Sequence, residues 1–510
     1  MDTANINRPD HSTKHVHKSI YMEYLACAKN SWLKLHKKHE LQSLFTFSIF
    51  EQAILDKGNL TESFAQQLFP NGISINKHGK DAALLTKSHI DLKTPVLFQA
   101  TFYHDSFLVR NDVLEYNESN GKWKLYEIKG TNSLKEETNE IDHIEDATFQ
   151  MIVLEENGID LEDIYIIHLN SDYVHLDTID INKLFTINNV TNKVKEREPK
   201  TRMKMQKSKI DLLQDNEEAL SCDCIYKSRI NHCRTFSYSH TYIPNISVHD
   251  IARITPKKLI PLINSSIFRI DDIPDNFPLT AIQDNQVTAY KLKQINCNFK
   301  AINQKLDMLI YPLYFLDYES YQSPIPLFKG LKPNQQLPFQ FSLYVITAAD
   351  SKPKHFGYLH ESNSDPSEPI IKELINLIGP TGSIVVWRKS FEQMINNELG
   401  VRHPEYKIFL DDLNNRFFDL EEIFKEQYYI HPDFNGKTSI KNILPALIPD
   451  LSYNELEIQD GGAASENWFN MINQSTAEVG KEKLANNLKQ YCQLDAYAMY
   501  KIWQHLLSIQ

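Results

Sequence analysis

The chain has 510 residues, with 54 Lys+Arg against 66 Asp+Glu and a formal charge of −12. Hydrophobic residues make up 42% and aromatics 11%, which excludes wholesale disorder; 15 glycines and 22 prolines exclude a collagen-like or linker-dominated chain. Six cysteines in such a length exclude a small disulfide scaffold, and the negative total argues against a histone-like coat on DNA while leaving room for an enzyme that binds metal through carboxylates. At roughly 100–200 residues per domain, two or three domains are expected.

The first twenty residues, MDTANINRPDHSTKHVHKSI, are polar and lack an apolar signal core. Apolar runs such as LYVITAA from Leu343 fall far short of the roughly 20 residues of a membrane helix. A cytoplasmic protein with no membrane partner is therefore expected, and clustered cysteines read as ligands before disulfides.

Residues 20–70 show apolar spacing of three and four and read as helices. From Pro95 the period becomes that of strands: VLFQATFYHDSFLVRNDVLEYN, the polar turn NESNGK and WKLYEIKG form neighbouring antiparallel strands. A helix, ATFQMIVLEENG, and a further strand, IYIIHLN, complete an α/β order. Residues 193–209 carry eight Lys/Arg and two Glu, read as a solvated helix face or linker in preference to a phosphate contact. Proline-punctuated short helices over 246–290 suggest a connector. A second α/β pattern opens near Met308: strands YPLYFLDYES and PFQFSLYVI, the helix IIKELINLIG, the buried strand GSIVVW, the helix FEQMINNELG, and a long terminal helix.

Two constellations carry chemistry. In the first, Asp112 lies on one strand of the hairpin and Glu127 and Lys129 on the next, sharing a face because side chains alternate. Two carboxylates on adjacent strands suit Mg²⁺ or Mn²⁺; a lysine beside them can orient or help deprotonate an attacking water and stabilise charge at phosphorus. Gln150, on the following helix, offers an amide to the same place. In the second, Asp317 and Glu319 form D-x-E at the end of an apolar strand, Glu392 follows a buried strand, and Tyr491 and Asp495 stand one turn apart on the last helix. Four converging carboxylates need cations to balance them, and two divalent ions about 3.5–4 Å apart are the common solution in phosphodiester cleavage. Tyr491 would then orient the water. Asp419 is a nearby acid that stands in should Glu392 be displaced, and is otherwise suited to supporting the core. A third group is Cys27 with Cys222, Cys224 and Cys233; Cys297 and Cys492 read as buried small apolar residues.

The D…E-x-K pattern with its following Gln resembles the PD-(D/E)XK nucleases, in the RecB-like branch that includes CRISPR-associated exonucleases, over roughly residues 20–235. The resemblance implies metal ligands Asp112 and Glu127, catalytic Lys129 and supporting Gln150; the family's upstream histidine has no match, and Leu154 stands where a tyrosine is usual. One cysteine ahead of this core and three behind it resemble the iron–sulfur staple of the same branch, implying a [4Fe–4S] cluster or, alternatively, a structural Zn²⁺. The second constellation resembles ribonuclease H-like DEDD exonucleases with tyrosine before the last acid, implying metal ligands Asp317, Glu319, Glu392 and Asp495 and catalytic Tyr491. Glu392 replaces the usual Asp, and Arg388 stands where Asn is common. With FLDYESYQSPIPLFKG, GKTSIKNILPALIPDLSYNELEIQDGGAA and YCQLDAYAMY, nearly the whole chain resembles a bacterial family of unknown function that joins the two modules; the resemblance puts the segment from Gly436 near the exonuclease cleft, where Lys437, Ser439 and Lys441 either meet phosphates or form a helix start with solvated lysines.

The expectation is an α/β protein with a restriction-endonuclease-like domain at 1–240, a helical connector at 241–305 and a ribonuclease H-like domain at 306–510. It would be a Mg²⁺- or Mn²⁺-dependent nuclease on DNA, in repair or anti-phage defence, with protein partners in a multi-gene system. The alternatives are an RNA 3′-exonuclease using only the C-terminal site, and a nucleic-acid-binding assembly subunit with a decayed centre.

Overall fold

The computed structural model describes residues 14–136, 142–473 and 478–509, with the side chains of 478 and 479 excepted, so most of the polar N-terminal stretch lies outside it. The protein is mixed α/β. Two compact units divide it: one takes the chain up to Phe47, Ile54–Ile225 and His232–His240, the other Ser48–Ala53, Tyr226–Asn231 and Thr241 onward. The stretch expected as a separate connector, 241–305, belongs to the second unit. Its Asn296–Cys297 pairs as a short strand with Tyr429–Ile430, so backbone hydrogen bonds bind it to the later chain. Among the described residues no helix is long and apolar enough to cross a membrane.

The first unit is built on a seven-stranded sheet. Its strands are β1 (Val16–His17), β2 (Ile73–Ser74), β3 (Val96–His104), β4 (Phe107–Asn117), β5 (Lys122–Lys129), β6 (Leu161–Leu169) and β7 (Phe185–Asn189). They run in the order β2-β3-β4-β5-β6-β7, with β1 pairing alongside β4. The antiparallel β3, β4 and β5 follow from the tight turns between them. From β5 the chain returns parallel into β6, which requires a crossover. That crossover is α5 (His143–Glu156), preceded in the chain by α1 (Lys18–Ala26), α2 (Ala28–Lys37), α3 (Ile49–Ala65) and α4 (Gly79–Asp91). Every α5 residue from His143 to Leu154 is buried, and Asp142 caps its start by accepting from the Ile144 and Glu145 amides. Leu154 is a core residue, 0% exposed.

The basic stretch forms α6 (Thr191–Leu213). Six of its eight cations are answered by acids of the same unit: Lys193 by Glu136, Arg197 by Asp142, Arg202 by Glu156 and Glu198, Lys204 by Glu145, Lys207 by Asp211 and Lys209 by Asp105. It is a charge-paired helix face.

The second unit holds a five-stranded sheet: β8 (Leu313–Tyr321), β9 (Leu337–Ile346), β10 (Lys354–Leu359), β11 (Ser383–Val386) and β12 (Phe417–Asp419), ordered β10-β9-β8-β11-β12. The first three are antiparallel, and β11 and β12 continue parallel to β8. Near-continuous apolar sequence in β8 and β9 matches burial on both faces. One face carries α7 (Ser367–Leu377), α8 (Lys389–Arg402) and α9 (Lys407–Asn415); the other carries α10 (Ile440–Leu447), α11 (Gly461–Asn473) and α12 (Glu478–Ser508).

Trp468 on α11 is fully buried, stacks on Phe339 at 4.6 Å between ring centroids and donates from Nε1 to the His360 carbonyl at 2.7 Å. Trp468→Ala should therefore lower stability by about 3–5 kcal/mol, read as a shift of the urea midpoint; a shift below about 1 kcal/mol would mean that this core layer does not hold the unit together.

Candidate functional site

The sheet of the first unit brings Asp112, Glu127, Lys129 and Gln150 together. The β4–β5 register pairs Val113 with Tyr126, which sets Asp112 beside the E-x-K segment; Asp112 Oδ2 accepts the Ile128 amide at 2.8 Å. Glu127 is 1% exposed. Its Oε1 accepts from Lys129 at 2.7 Å and from Lys18 of α1 at 2.6 Å, and its Oε2 from Gln150 at 2.6 Å. Asn111 in turn fixes Gln150 by donating to its Oε1 at 2.7 Å. Burial works against ionising Glu127, but Lys129 and Lys18 outweigh it and hold its carboxyl well below the usual range. Burial also disfavours charge on Lys129, yet Asp146 and Glu127 keep its pKa above the ordinary lysine value. Asp112 has the opposite fate: burial, then the neighbouring Glu127, push it well up.

Four residues of this centre were absent from the sequence reading. Lys18 and Glu62 come from helices far back in the chain, and Gln99 from β3. Gln99 has φ +58, an unusual value for a side-chain-bearing residue, and donates to Glu62. Asp146 accepts from Lys129 and from Gln150. Only Asp146 carried a sequence signal: it lies four residues before Gln150, on the same helix face.

In the second unit β8 presents Asp317 and Glu319, and α12 presents Asp495. A carboxylate oxygen from each lies within 4.8 Å of the others. None of these three, nor Glu392, forms an ion pair with Lys, Arg or His among the described residues. Burial and then the mutual repulsion of the acids push Asp317 and Glu319 well above the usual carboxylate range, and burial pushes Asp495 to about 6. Glu392 on α8 falls outside that close triad. It is 2% exposed, its Oε2 has no hydrogen-bond partner, and burial pushes it to about 8; its charge nonetheless acts on Asp317. Asp419 holds the start of α8 in place, accepting the Arg388 and Lys389 amides at 3.0 and 3.1 Å, while Arg388 takes a left-handed φ of +66 at the N-cap. Asp419, the alternative to Glu392, is likewise outside the close triad.

Tyr491 is 3% exposed, and burial followed by Asp495 pushes its hydroxyl far up, so it remains protonated. A second tyrosine, Tyr453, went unrecognised in the sequence: its hydroxyl donates to Asp495 Oδ1 at 2.5 Å. Lys441 stands over both rings, 5.4 and 5.2 Å from their centroids, and donates to the Gln459 carbonyl. Ser439 instead bonds Asn442 at the start of α10, and Lys437 lines a separate cleft with Arg253 and His431. Cys297 is half-buried where burial was expected; Cys492 is buried as expected and sets its thiol 3.7 Å from Asp317 Oδ2.

The four remaining cysteines do converge. Cys27 sits at the α1–α2 junction and the other three in the segment after α6; one sulfur from each lies within 4.8 Å of the rest. Cys27 to Cys222 is 3.7 Å and Cys222 to Cys233 is 3.6 Å, all thiols being free. Trp32 Nε1 to the Gln214 carbonyl and Thr235 Oγ1 to Asn30 Oδ1 tie the same segments together.

Residues 314–439 match the family model described as Domain of unknown function (DUF2779). The match covers β8 through the segment before α10 and agrees with the resemblance to a family of unknown function. Uncharacterized protein MG366 of Mycoplasma genitalium is 28% identical over 210 residues, covering 37% of this chain and 31% of its own length. The MG366 homolog of Mycoplasma pneumoniae is 26% identical over 222 residues, covering 40% of this chain and 33% of its own. The chain thus spans about a third of those relatives. No solved structure matches it.

Because Glu392 binds its proton more tightly folded than unfolded, the stability this supplies is complete below about pH 4.5 and is lost as pH rises towards about 8. In EDTA, wild type should lose stability relative to Glu392→Gln between pH 5 and 8, by at most about 1.4 kcal/mol per pH unit, and run parallel above. Parallel urea midpoints across the whole range would show that Glu392 is ionised in the folded protein.

Proposed function

We propose that the protein is a metal-dependent nuclease hydrolysing DNA phosphodiester bonds, with a PD-(D/E)XK-like centre in the first unit and a DEDD-like, ribonuclease H-type centre in the second. The observation that carries this is the enclosed triad Asp317, Glu319 and Asp495, none of which forms an ion pair with lysine or arginine among the described residues. The β10-β9-β8-β11-β12 order, with the acids on the central strand and the C-terminal helix, supports the DEDD-type reading. An all-oxygen donor set with an orphaned buried oxygen on Glu392 fits hard divalent cations. When bound, Mg²⁺ or Mn²⁺ would activate water and balance charge at phosphorus.

The chain's own groups divide the remaining work. Tyr453 orients Asp495 through its hydroxyl, and the protonated Tyr491 is a hydrogen-bond donor available to the attacking water. Lys441 supplies positive charge beside the acids. In the first unit Asp112 and Glu127 would be the metal-facing acids, and Gln150 sets the orientation of Glu127. Lys129, held charged by Asp146, acts there as a donor to the phosphate or water and not as a base.

A second reading, hydrolysis at the C-terminal centre alone, draws on one observation: Glu127 already accepts from two lysines and an amide. Asp317→Asn and Lys129→Ala separate the two. With Mg²⁺ or Mn²⁺ and labelled single- and double-stranded DNA and RNA, each variant should lose about 10²–10³-fold of the activity belonging to its own centre. Loss only with Asp317→Asn selects the second reading. Wild type inert on all four substrates would sink both.

For the cysteines, the separations favour one tetrahedral ion over a [4Fe–4S] cluster. A Zn²⁺ with bonds of about 2.3 Å sets its sulfurs roughly 3.8 Å apart, close to the observed 3.6 and 3.7 Å, whereas an interposed iron–sulfur cubane spreads them further. Elemental analysis should find about one zinc per chain, and Cys224→Ser should lose the zinc and lower the melting temperature. Iron with acid-labile sulfide and absorbance near 400 nm would overturn the zinc assignment in favour of the cluster.

A further inference from the structure

The first unit has a cleft of about 420 Å³ that its acid centre does not explain. His17, Lys18, Lys77, His78 and Arg110 line it together with Tyr103, and no carboxylate does. Lys18 is paired with Glu127 and Asp146, so the charge that the cleft leaves unanswered among the described residues is that of Lys77 and Arg110; on the basic helix α6, by contrast, six of the eight cations are paired with acids. Lys77 is exposed and forms no ion pair among the described residues. Arg110 makes one long hydrogen bond, to the Ile75 carbonyl at 3.4 Å, and its buried Nε has no partner. The 13-residue helix α4 also begins at the cleft: Gly79 lines it, and the N-cap His78 leaves the first-turn amides without a side-chain cap.

Both ends of the cleft lead somewhere. At the inner end Lys18 reaches Glu127, and the charge of Arg110 acts on Glu62. At the outer end Thr101 and Tyr103 are shared with a second cavity of about 700 Å³, which Lys80, the exposed Leu84 and His15 help to bound. The rings of His15 and Tyr103 meet there edge to face, 4.7 Å apart. Unpaired cations and helix amides suit phosphates; an aromatic and apolar wall suits bases that are not already stacked in a duplex.

We propose that this trough binds single-stranded nucleic acid and leads it to the Glu127 centre. Lys77, Arg110 and the start of α4 would hold phosphates, and the Tyr103 wall would take a base. The proposal rests on the nuclease reading for what happens at the inner end, but binding can be measured separately. The test uses the full chain with Ca²⁺ in place of Mg²⁺, fluorescein-labelled dT15 and rU15, and a labelled 15-base-pair duplex, read by anisotropy against salt. Lys77 and Lys80 are both exposed, so Lys77→Glu/Lys80→Glu should fold; Lys207→Glu on α6 removes a paired cation as the control.

The double variant should weaken single-strand binding by about 10-fold or more and reduce the salt slope by about 1.4 for two lost phosphate contacts. Lys207→Glu should stay within about twofold of wild type, and duplex binding should be weaker than single-strand binding throughout. The dT15 and rU15 arms decide between DNA and RNA as the strand. Equal single-strand affinity of wild type and the double variant, an equal loss with Lys207→Glu, tighter binding of duplex than of single strand, or no binding by wild type would each overturn the trough. Should the trough variant lose binding while wild type cleaves nothing with Mg²⁺ or Mn²⁺, the trough stands and the nuclease reading fails; should wild type cleave and the double variant bind and cleave alike, the reverse holds.

Discussion

Carboxylates withdrawn from water beside one another raise each other's energy, and each of the two units answers this constraint differently. In the first, Glu127 is ionised because Lys129, Lys18 and Gln150 converge on its two oxygens, and the strain of charge burial passes to Asp112, whose pKa rises. In the second, no basic side chain forms an ion pair with Asp317, Glu319 or Asp495 among the described residues; burial raises all three, and repulsion adds to it at Asp317 and Glu319. Breaking such a cluster by removing one partner is costly where the partner is a cation and relieving where it is another anion. The same physics thus makes Lys129 and Lys18 part of the architecture of the first centre and leaves the acids of the second triad holding their protons more tightly.

Much of this was legible in the chain. Strand alternation put Glu127 and Lys129 on one face, the short NESNGK turn put Asp112 alongside, and the helical repeat put Tyr491 over Asp495. These are local relations, and periods of two and 3.6 determine them whatever the rest of the chain does. Asp146 was legible by the same rule, since it precedes Gln150 by four. Lys18, Glu62 and Tyr453 were not: each reaches its acid across a tertiary contact, and no local period connects position 18 to 127 or 453 to 495.

Charge shows the same divide. Residues 193–209 stand out in the sequence as the most basic segment, yet six of their eight cations are paired with acids of the same helix, of α5 and its N-cap, of the β3–β4 turn and of the segment after β5. The trough's cations without an ion pair among the described residues, Lys77 and Arg110, lie far apart in the chain, and no sequence window reveals them. Density along the chain reports composition; only the fold decides which charges remain unanswered. The cysteines repeat the lesson in another form. Their one-plus-three spacing suggested convergence, but the 3.6 and 3.7 Å between their sulfurs come from the packing of the α1–α2 junction against the segment after α6.

By itself the sequence determined the alternation of strands and helices, the acids that share a face within each element, and the expectation of α/β architecture, because each follows from local backbone periodicity and side-chain burial. Tertiary structure alone decided that Glu127 is neutralised while the Asp317 triad is not, that Glu392 stands apart from its three companions, and that the connector belongs to the second unit. The reason is distance: an ion pair, a shared proton or a metal-sized gap depends on a few ångströms between side chains a hundred or more residues apart, and only the packed sheet and its crossover helices set those few ångströms.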